Sequence, residues 1–374
     1  MFLRWRCVMV VALAMGFLLL RVVTMKLPFT VLPQEQQMFH GAMHVHSNLS
    51  FDANQTVETI ASDAARAHLQ FVILTDHQQR APSSRYIDSV LILNGTEISL
   101  PHGHVLALGG EFVSPKNHES VSWSQLSQRG AMLGAAHPDS LKNPLTDSDV
   151  LHADAYELLS GSSDFYRLLR SYRMGWLLFF PLRPALALSH LYPSRALAVE
   201  RYDQLLSLRP LRLWCGVDDH GRVHTAHRLR TYVTYLPTMM PENNAEHDAE
   251  QIDERLKKGE SFCALGLYGD ASALSITAKS GRGIDTLGAE LEAPVEYKAR
   301  WNGPRIAGHR FLLYRNGELL QETTSTHLEV TLSEPGAYRL EAARDVPTLW
   351  FGTHSVRWIY TNPIFVRSAF AQQE

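Results

Sequence analysis

Short apolar runs in the first two thirds of the chain end, one after another, in histidine and acid: His44-Val45-His46 with Asp52, Thr75-Asp76-His77, Glu97, His104, His137 and Asp218-Asp219-His220. A strand followed by a metal-loving side chain, repeated several times, narrows the choice to folds in which many strand ends meet. In parallel α/β barrels that meeting place is the mouth at the C-terminal ends of the strands, where ligands and chemistry collect. The pattern predicts an α/β chain built around a polynuclear metal site, and hence a metallohydrolase.

The repeating unit is plainest near the start. Residues 39–45 read as the first strand, and Asn54 or Thr56 can cap a helix whose Val57, Ile60, Ala61, Ala64, Ala65 and Leu69 form one apolar stripe. Residues 71–74 are a short buried strand that runs into Asp76 and His77. Residues 91–93 lead to a glycine turn and Glu97, 105–108 follow His104, and 131–136 lead to His137. Further strands are expected at 153–159 and 211–217, and helices at 194–208 and 246–258. Beyond Gly269 the texture changes to alternating segments at 311–314, 327–332 and 338–342, punctuated by Asn316-Gly317 and Pro335-Gly336. These are antiparallel strands with tight turns, which predicts a β-sandwich of about a hundred residues.

Composition bears on size, partners and compartment. With 374 residues and 45% hydrophobic content the chain can bury one large core and still build a second, smaller unit. A net charge of −3 with the two signs interspersed leaves no electrostatic footprint for a polyanion, so no nucleic acid is expected as a partner. Cys7, Cys215 and Cys263 are too scattered to indicate a disulfide scaffold or a thiolate zinc cluster. Arg4 and Arg6 precede the apolar run 7–20, and apolar character resumes after Arg21 up to Met25 before Lys26 and Pro28 close it. This is an export-type segment without a small-x-small cleavage site, which favours an uncleaved signal anchor over a removed signal peptide. The expected location is a membrane anchor with the catalytic part outside the cytoplasm, periplasmic or extracellular, and a secreted protein if the segment is cleaved. The expected organisation is anchor 1–27, a Pro- and Gln-rich linker 28–39, a barrel 40–268 with an insertion at 163–194, and the sandwich 269–374.

A single His-x-His is weak evidence, since a chain with 18 histidines holds roughly one by chance, and His102-Gly103-His104 is read as that coincidence for His102. The ordered combination is specific. His44-Val45-His46-Ser47 with Asp52, Leu74-Thr75-Asp76-His77, Gly95-Thr96-Glu97 with Gly103-His104-Val105, Ala136-His137-Pro138 and Gly216-Val217-Asp218-Asp219-His220 resemble, in order, the motifs of the polymerase and histidinol phosphatase (PHP) superfamily of metal-dependent phosphoesterases. The chain also resembles a membrane-anchored metallohydrolase branch in which a β-sandwich follows the barrel. The resemblance covers residues 40–220 and implies a distorted (β/α)7 barrel holding two or three divalent ions, Mn2+, Zn2+ or Fe2+. By that likeness His44, His46, Glu97 and Asp218 hold one ion, with Glu97 bridging to a second. Asp52, His77 and His220 serve another, and His104 and His137 complete the remaining shell.

The implied reaction is attack on phosphorus by hydroxide from metal-activated water, with the ions neutralising the phosphoryl oxygens. The substrate expected is a small-molecule or headgroup phosphate ester, with the membrane reached through the N-terminal helix. Asp76 is the candidate catalytic acid, orienting His77 or moving a proton. Arg80, at the barrel mouth, is the candidate substrate anion holder. Asp219 stands where the family has a neutral residue, and reads as a partner of a ligand or as a solvent-facing acid. The insertion, rich in Phe, Leu and Trp and broken by Pro181 and Pro184, reads as a packed subdomain or as a membrane-touching flap. Two other functions fit the same residues: hydrolysis of an amide, carbamate or carboxylic ester with the same metals, and a tethered non-catalytic binding or assembly protein.

Overall fold

The computed structural model of the chain describes residues 2–25, 32, 38–77, 83–109, 123–127, 130–161, 163–164, 180–191, 195–221, 226–281, 283–348 and 352–368. The helices are α1 (Phe2–Thr24), α2 (Val57–Arg66), α3 (Trp123–Ser127), α4 (Asp147–Val150), α5 (Pro184–Leu191), α6 (Val199–Leu206), α7 (Ala226–Leu229) and α8 (Ala245–Lys258). The strands of the first part are β1 (Phe39–Val45), β2 (Phe71–Leu74), β3 (Arg85–Ile87), β4 (Val90–Ser99), β5 (His104–Leu108), β6 (Met132–Ala136), β7 (Ala155–Ser160), β8 (Arg212–Gly216), β9 (Val233–Leu236) and β10 (Phe262–Ala264). The second part supplies β11 (Leu274–Ser280), β12 (Gly283–Asp285), β13 (Glu290–Glu292), β14 (Val295–Trp301), β15 (Arg310–Arg315), β16 (Glu318–Thr323), β17 (His327–Leu332), β18 (Gly336–Pro347), β19 (Thr353–Thr361) and β20 (Ile364–Arg367).

These make a mixed α/β structure with one large sheet and a separate four-stranded sheet, β12-β11-β14-β17. The large sheet runs β13-β20-β18-β19-β10-β9-β1-β2-β4-β5-β6-β7-β8. Its far end returns to the middle: Val217 N–H donates to the Met43 carbonyl and His46 N–H to the Asp219 carbonyl, both at 2.9 Å. The curl follows from the right-handed twist of successive strands, and it gathers the ends of β1, β2, β4, β5, β6 and β8 around one space. No break in hydrogen bonding falls at Gly269, because β19 pairs antiparallel with β10, Ala264 opposite Ile359. Buried apolar side chains from Ala42 to Val366 form one continuous cluster.

Local sequence explains the elements around that space. Thr56, not Asn54, caps α2, its side chain accepting from Thr59 N–H, and Val57, Ile60, Ala61 and Ala64 are buried. Ala65 turns outward. The hairpin β15–β16 turns on Asn316 and Gly317, φ 49° and 85°, the left-handed pair that a two-residue turn needs.

Three expectations are corrected. Glu97 does not follow a glycine turn; Gly95 lies inside the ten-residue strand β4, where a Cβ would come within 2.6 Å of Leu108 Cδ2. Nor are all the strands parallel, since β5 runs antiparallel to both β4 and β6. His104 therefore reaches the common space from the start of its strand, opposite Ser99. The cysteines are not all unpaired: Cys215 on β8 and Cys263 on β10 are joined by a disulfide, their Cα atoms 6.0 Å apart. A separation of 48 residues hid the pair, and the curl of the sheet closes it.

At the N-terminus, α1 exposes apolar side chains from Met9 to Leu20, while Val22 and Met25 are buried. Arg183 donates to the carbonyls of Val22, Val23 and Met25 at 3.1, 2.6 and 2.8 Å, which satisfies the open C-terminal end of the helix. Among the described residues no helix is long and apolar enough to cross a membrane. Of the expected insertion, residues 163–164 and 180–191 are described, the latter including α5.

Candidate metal centre

β1 places the first two histidines by a kink. Its register with β2 shifts between Ala42 and Val45, and His44 adopts φ 59°. The convergence of His44 and His46 is thus not simple strand alternation; a left-handed residue turns both rings so that each Nε2 lies 3.2 Å from Glu97 Oε2. His137 and Asp218 are also left-handed, φ 28° and 51°. Such backbone costs on the order of 1–3 kcal/mol for each non-glycine residue and persists where the surroundings overdetermine it, typically at functional sites.

All nine expected ligands come together. They form three groups whose donor atoms lie within 4.8 Å of one another: His46, Asp52, His77 and His220; His44, His46, Glu97 and Asp218; and Glu97, His104 and His137. Glu97 is the hinge of the arrangement. Its Oε2 faces His44 and His46, while its Oε1 lies 2.7 Å from His104 Nδ1 and 3.0 Å from His137 Nε2. One carboxylate with two oxygens can serve two ions. His46 has a single Nε2 lone pair and can serve only one, although it borders two groups. Asp52 Oδ2 stands 3.4 Å from His77 Nε2 and 3.1 Å from His220 Nε2.

The residues fit a cation better than they fit one another. Among the described residues the buried Asp52 Oδ1 and His77 Nδ1 have no hydrogen-bond partner, and His46 Nε2 approaches Glu97 and Asp218 at 3.2 and 3.5 Å without hydrogen-bond geometry. Burial alone would depress His46, yet the closeness of Asp218 and Glu97 outweighs it and lifts the imidazole to about 9. Burial would likewise raise Glu97, but the charge of His44 and the rings of His104 and His137 hold it well below the usual carboxylate range. His77 and His220, where burial dominates, are lowered. The acids create a field that calls for positive charge, and imidazoles lowered by burial keep the neutral form that a metal takes as ligand.

Behind the ligands stands a group that sequence reasoning missed. Glu157, on β7 and 2% exposed, places Oε1 2.7 Å from His44 Nδ1 and accepts the His137 backbone N–H on Oε2 at 2.5 Å. It fixes His44 with Nε2 turned to the centre and braces the strained His137. The signal was an acid inside the apolar strand Ala155–Ser160.

Asp76 is fully buried, and its oxygens take the Ser47 N–H and hydroxyl at 2.6 and 2.8 Å and the Ser50 hydroxyl at 3.1 Å. Ser50 Oγ in turn accepts the His77 backbone N–H and lies 3.2 Å from His46 Nδ1. Asp76 thus reaches the histidines through Ser50, as a peg for the loop after β1. Asp219 is 2% exposed and pairs with Arg228 of α7, 3.2 Å away, so it is not solvent-facing. His102 is exposed. Arg80 lies outside the described residues.

No protein-family model matches the chain, and no curated protein matches it. A solved structure similar to it is that of a two-domain protein from Bacteroides vulgatus ATCC 8482, described as containing a predicted PHP-like metal-dependent phosphoesterase; identity is 13%, the match covers 88% of this chain and 98% of that one, and the TM-score is 0.40.

Proposed function

We propose that the chain is a metal-dependent hydrolase of the PHP type, a phosphoesterase acting on a small-molecule or headgroup phosphate ester. The observation that carries this reading is Glu97, a buried carboxylate whose two oxygens face two different histidine groups. With the ordered motifs it supports a distorted (β/α)7 barrel as the description of the curled sheet, while the separate four-stranded sheet β12-β11-β14-β17 supports a β-sandwich as that of the second part. Two or three divalent ions, Mn2+, Zn2+ or Fe2+, bound there supply Lewis acidity at neutral pH.

The chain's own residues do the rest. Glu97 would hold an ion with each of its oxygens, Glu157 holds His44 in one tautomer, and Ser50, pegged by Asp76, turns His46 Nε2 inward. Glu97 and Asp218 put two buried carboxylates beside the histidines, and cations held there would offset their charge where a substrate anion is proposed to bind. Arg80, three residues past His77 in sequence, is proposed to bind that anion. A location outside the cytoplasm is supported by the Cys215–Cys263 disulfide, since such bonds persist in oxidising compartments. The apolar face of α1 supports membrane attachment.

Metal analysis of the purified chain and a screen across phosphate monoesters, diesters, amides and carboxylic esters test the reading. His46→Ala and Asp218→Ala should each abolish activity and lower metal content. Unchanged activity in both variants refutes the site, and activity confined to amides or carboxylic esters refutes the phosphoesterase.

A further inference from the structure

The loop between β1 and α2 carries a second message. Phe51 is 88% exposed, the largest apolar exposure in the first part of the chain among the described residues, and it immediately precedes the ligand Asp52. Single exposed apolar side chains are common and ordinarily need no explanation. Two facts set this one apart. Its ring lies against the imidazole of His77, centroids 5.2 Å apart and planes inclined at 28°. The loop backbone on both sides of it is also pinned. Ser47 and Ser50 are pegged to Asp76, Ser50 N–H donates to the Ser47 carbonyl at 3.0 Å, and Asn48 N–H donates to the Gln55 carbonyl at 2.7 Å. Gln55 is anchored in turn, its amide donating to Asp63 of α2 at 3.2 Å.

We infer that Phe51 is a specificity residue: one wall of the substrate site, which takes a flat or apolar group attached to the ester beside the metal centre. The reasoning is thermodynamic. A phenyl ring left in water forgoes the stabilisation that burial gives, and a rigid loop removes the ordering cost that binding would otherwise meet. The aromatic face next to His77 is therefore pre-organised for stacking with a ring or an alkyl chain, an interaction that the polar metal pocket cannot itself supply. Leu49, 38% exposed on the same loop, adds to the apolar character of this rim. The inference rests on the hydrolase reading for the location of the scissile bond, and it narrows the substrate class from any ester to one with an apolar or aromatic substituent.

The test is binding, not turnover. The metal-loaded full chain is titrated calorimetrically with methylphosphonate and phenylphosphonate, and with acetohydroxamate and benzohydroxamate as carbonyl-directed counterparts. The phenyl member of whichever pair binds should be at least tenfold tighter, about 1.4 kcal/mol. That advantage should fall below threefold in Phe51→Ala and persist in Phe51→Trp, with metal content unchanged in both. Equal affinities for the two members of a pair, or an advantage that survives in Phe51→Ala, overturn the inference, as does failure of all four ligands to bind. Hydroxamate binding without phosphonate binding sinks the phosphoesterase but leaves the role of Phe51 standing. If Phe51→Ala instead loses binding to phosphatidylglycerol vesicles while ligand preference is intact, the ring serves a lipid surface and the inference is wrong.

Discussion

Glu341 on β18 and Glu97 on β4 are both buried carboxylates, 0% and 1% exposed, and they meet the cost of burial in opposite ways. Glu341 accepts from Arg339, Arg195 and Arg357 at 2.7, 2.8 and 3.2 Å, and Arg339 also grips Asp203 of α6 through two hydrogen bonds. Guanidinium forks saturate those acids, and Arg339 lies over the Tyr314 ring as well. The cluster is closed and joins the second part of the chain to α6. Glu97 has imidazoles and a second carboxylate, Asp218, around it and no guanidinium or ammonium among the described residues, three of its neighbours carry left-handed backbone, and buried nitrogens and oxygens beside it lack partners. Buried charge by itself therefore does not mark a site. The mark is charge left open to a cation, on a backbone held in strain.

The contrast can be broken by mutation. Arg339→Met should cost about 3–5 kcal/mol in chemical denaturation, because Asp203 stays buried without its guanidinium and Glu341 keeps only Arg195 and Arg357. Glu97→Gln should cost the metal-free protein less than about 1 kcal/mol while abolishing metal retention, since strain and open valences at functional sites oppose stability. Comparable losses in both variants would erase the distinction.

Glu157→Gln should act more mildly, weakening metal affinity on the order of 10- to 100-fold in chelator competition, as loss of a ligand-orienting partner does. An unchanged affinity would remove Glu157 from the centre.

Most graded is the pH response, where the two clusters differ in sign. Burial raises Glu341, but Arg339 and Arg195 outweigh it and hold it below its ordinary 4.5, so its stabilisation is present above that pH and is lost as pH falls through the lower folded value. His46 is lifted from 6.5 to about 9 in the metal-free protein, so its contribution is full below 6.5 and disappears as pH rises through 9. Metal must displace that proton, and its affinity should climb by up to about tenfold per pH unit between those values. A flat affinity profile across that window contradicts the assignment of His46 as a ligand.

Much of the centre was legible because metal chemistry restricts residue types. Imidazoles and carboxylates next to apolar runs gave the candidates, the resemblance to ordered motifs narrowed them to His44, His46, Asp52, His77, Glu97, His104, His137, Asp218 and His220, and all nine meet. Glu157 was not legible, since one acid in a strand gives no sign of which histidine it will face. The route by which Asp76 reaches His77 was not legible for a related reason: its oxygens turn to Ser47 and Ser50, and only Ser50 touches the His77 backbone. Phe51 could be read as a loop residue but not as one whose exposed ring lies against His77.

Sequence by itself determined the ligand types, their order along the chain, the capped helix at Thr56 and the Asn316-Gly317 hairpin, because these depend on side-chain chemistry and local backbone preference. Tertiary structure alone decided the rest. The curl of the large sheet joined Cys215 to Cys263, the antiparallel run of β5 turned His104 toward the others, and left-handed kinks at His44, His137 and Asp218 brought donor atoms within reach of common points. Those outcomes depend on strand order and register, which are fixed by packing between segments tens to hundreds of residues apart and leave no local trace in the chain.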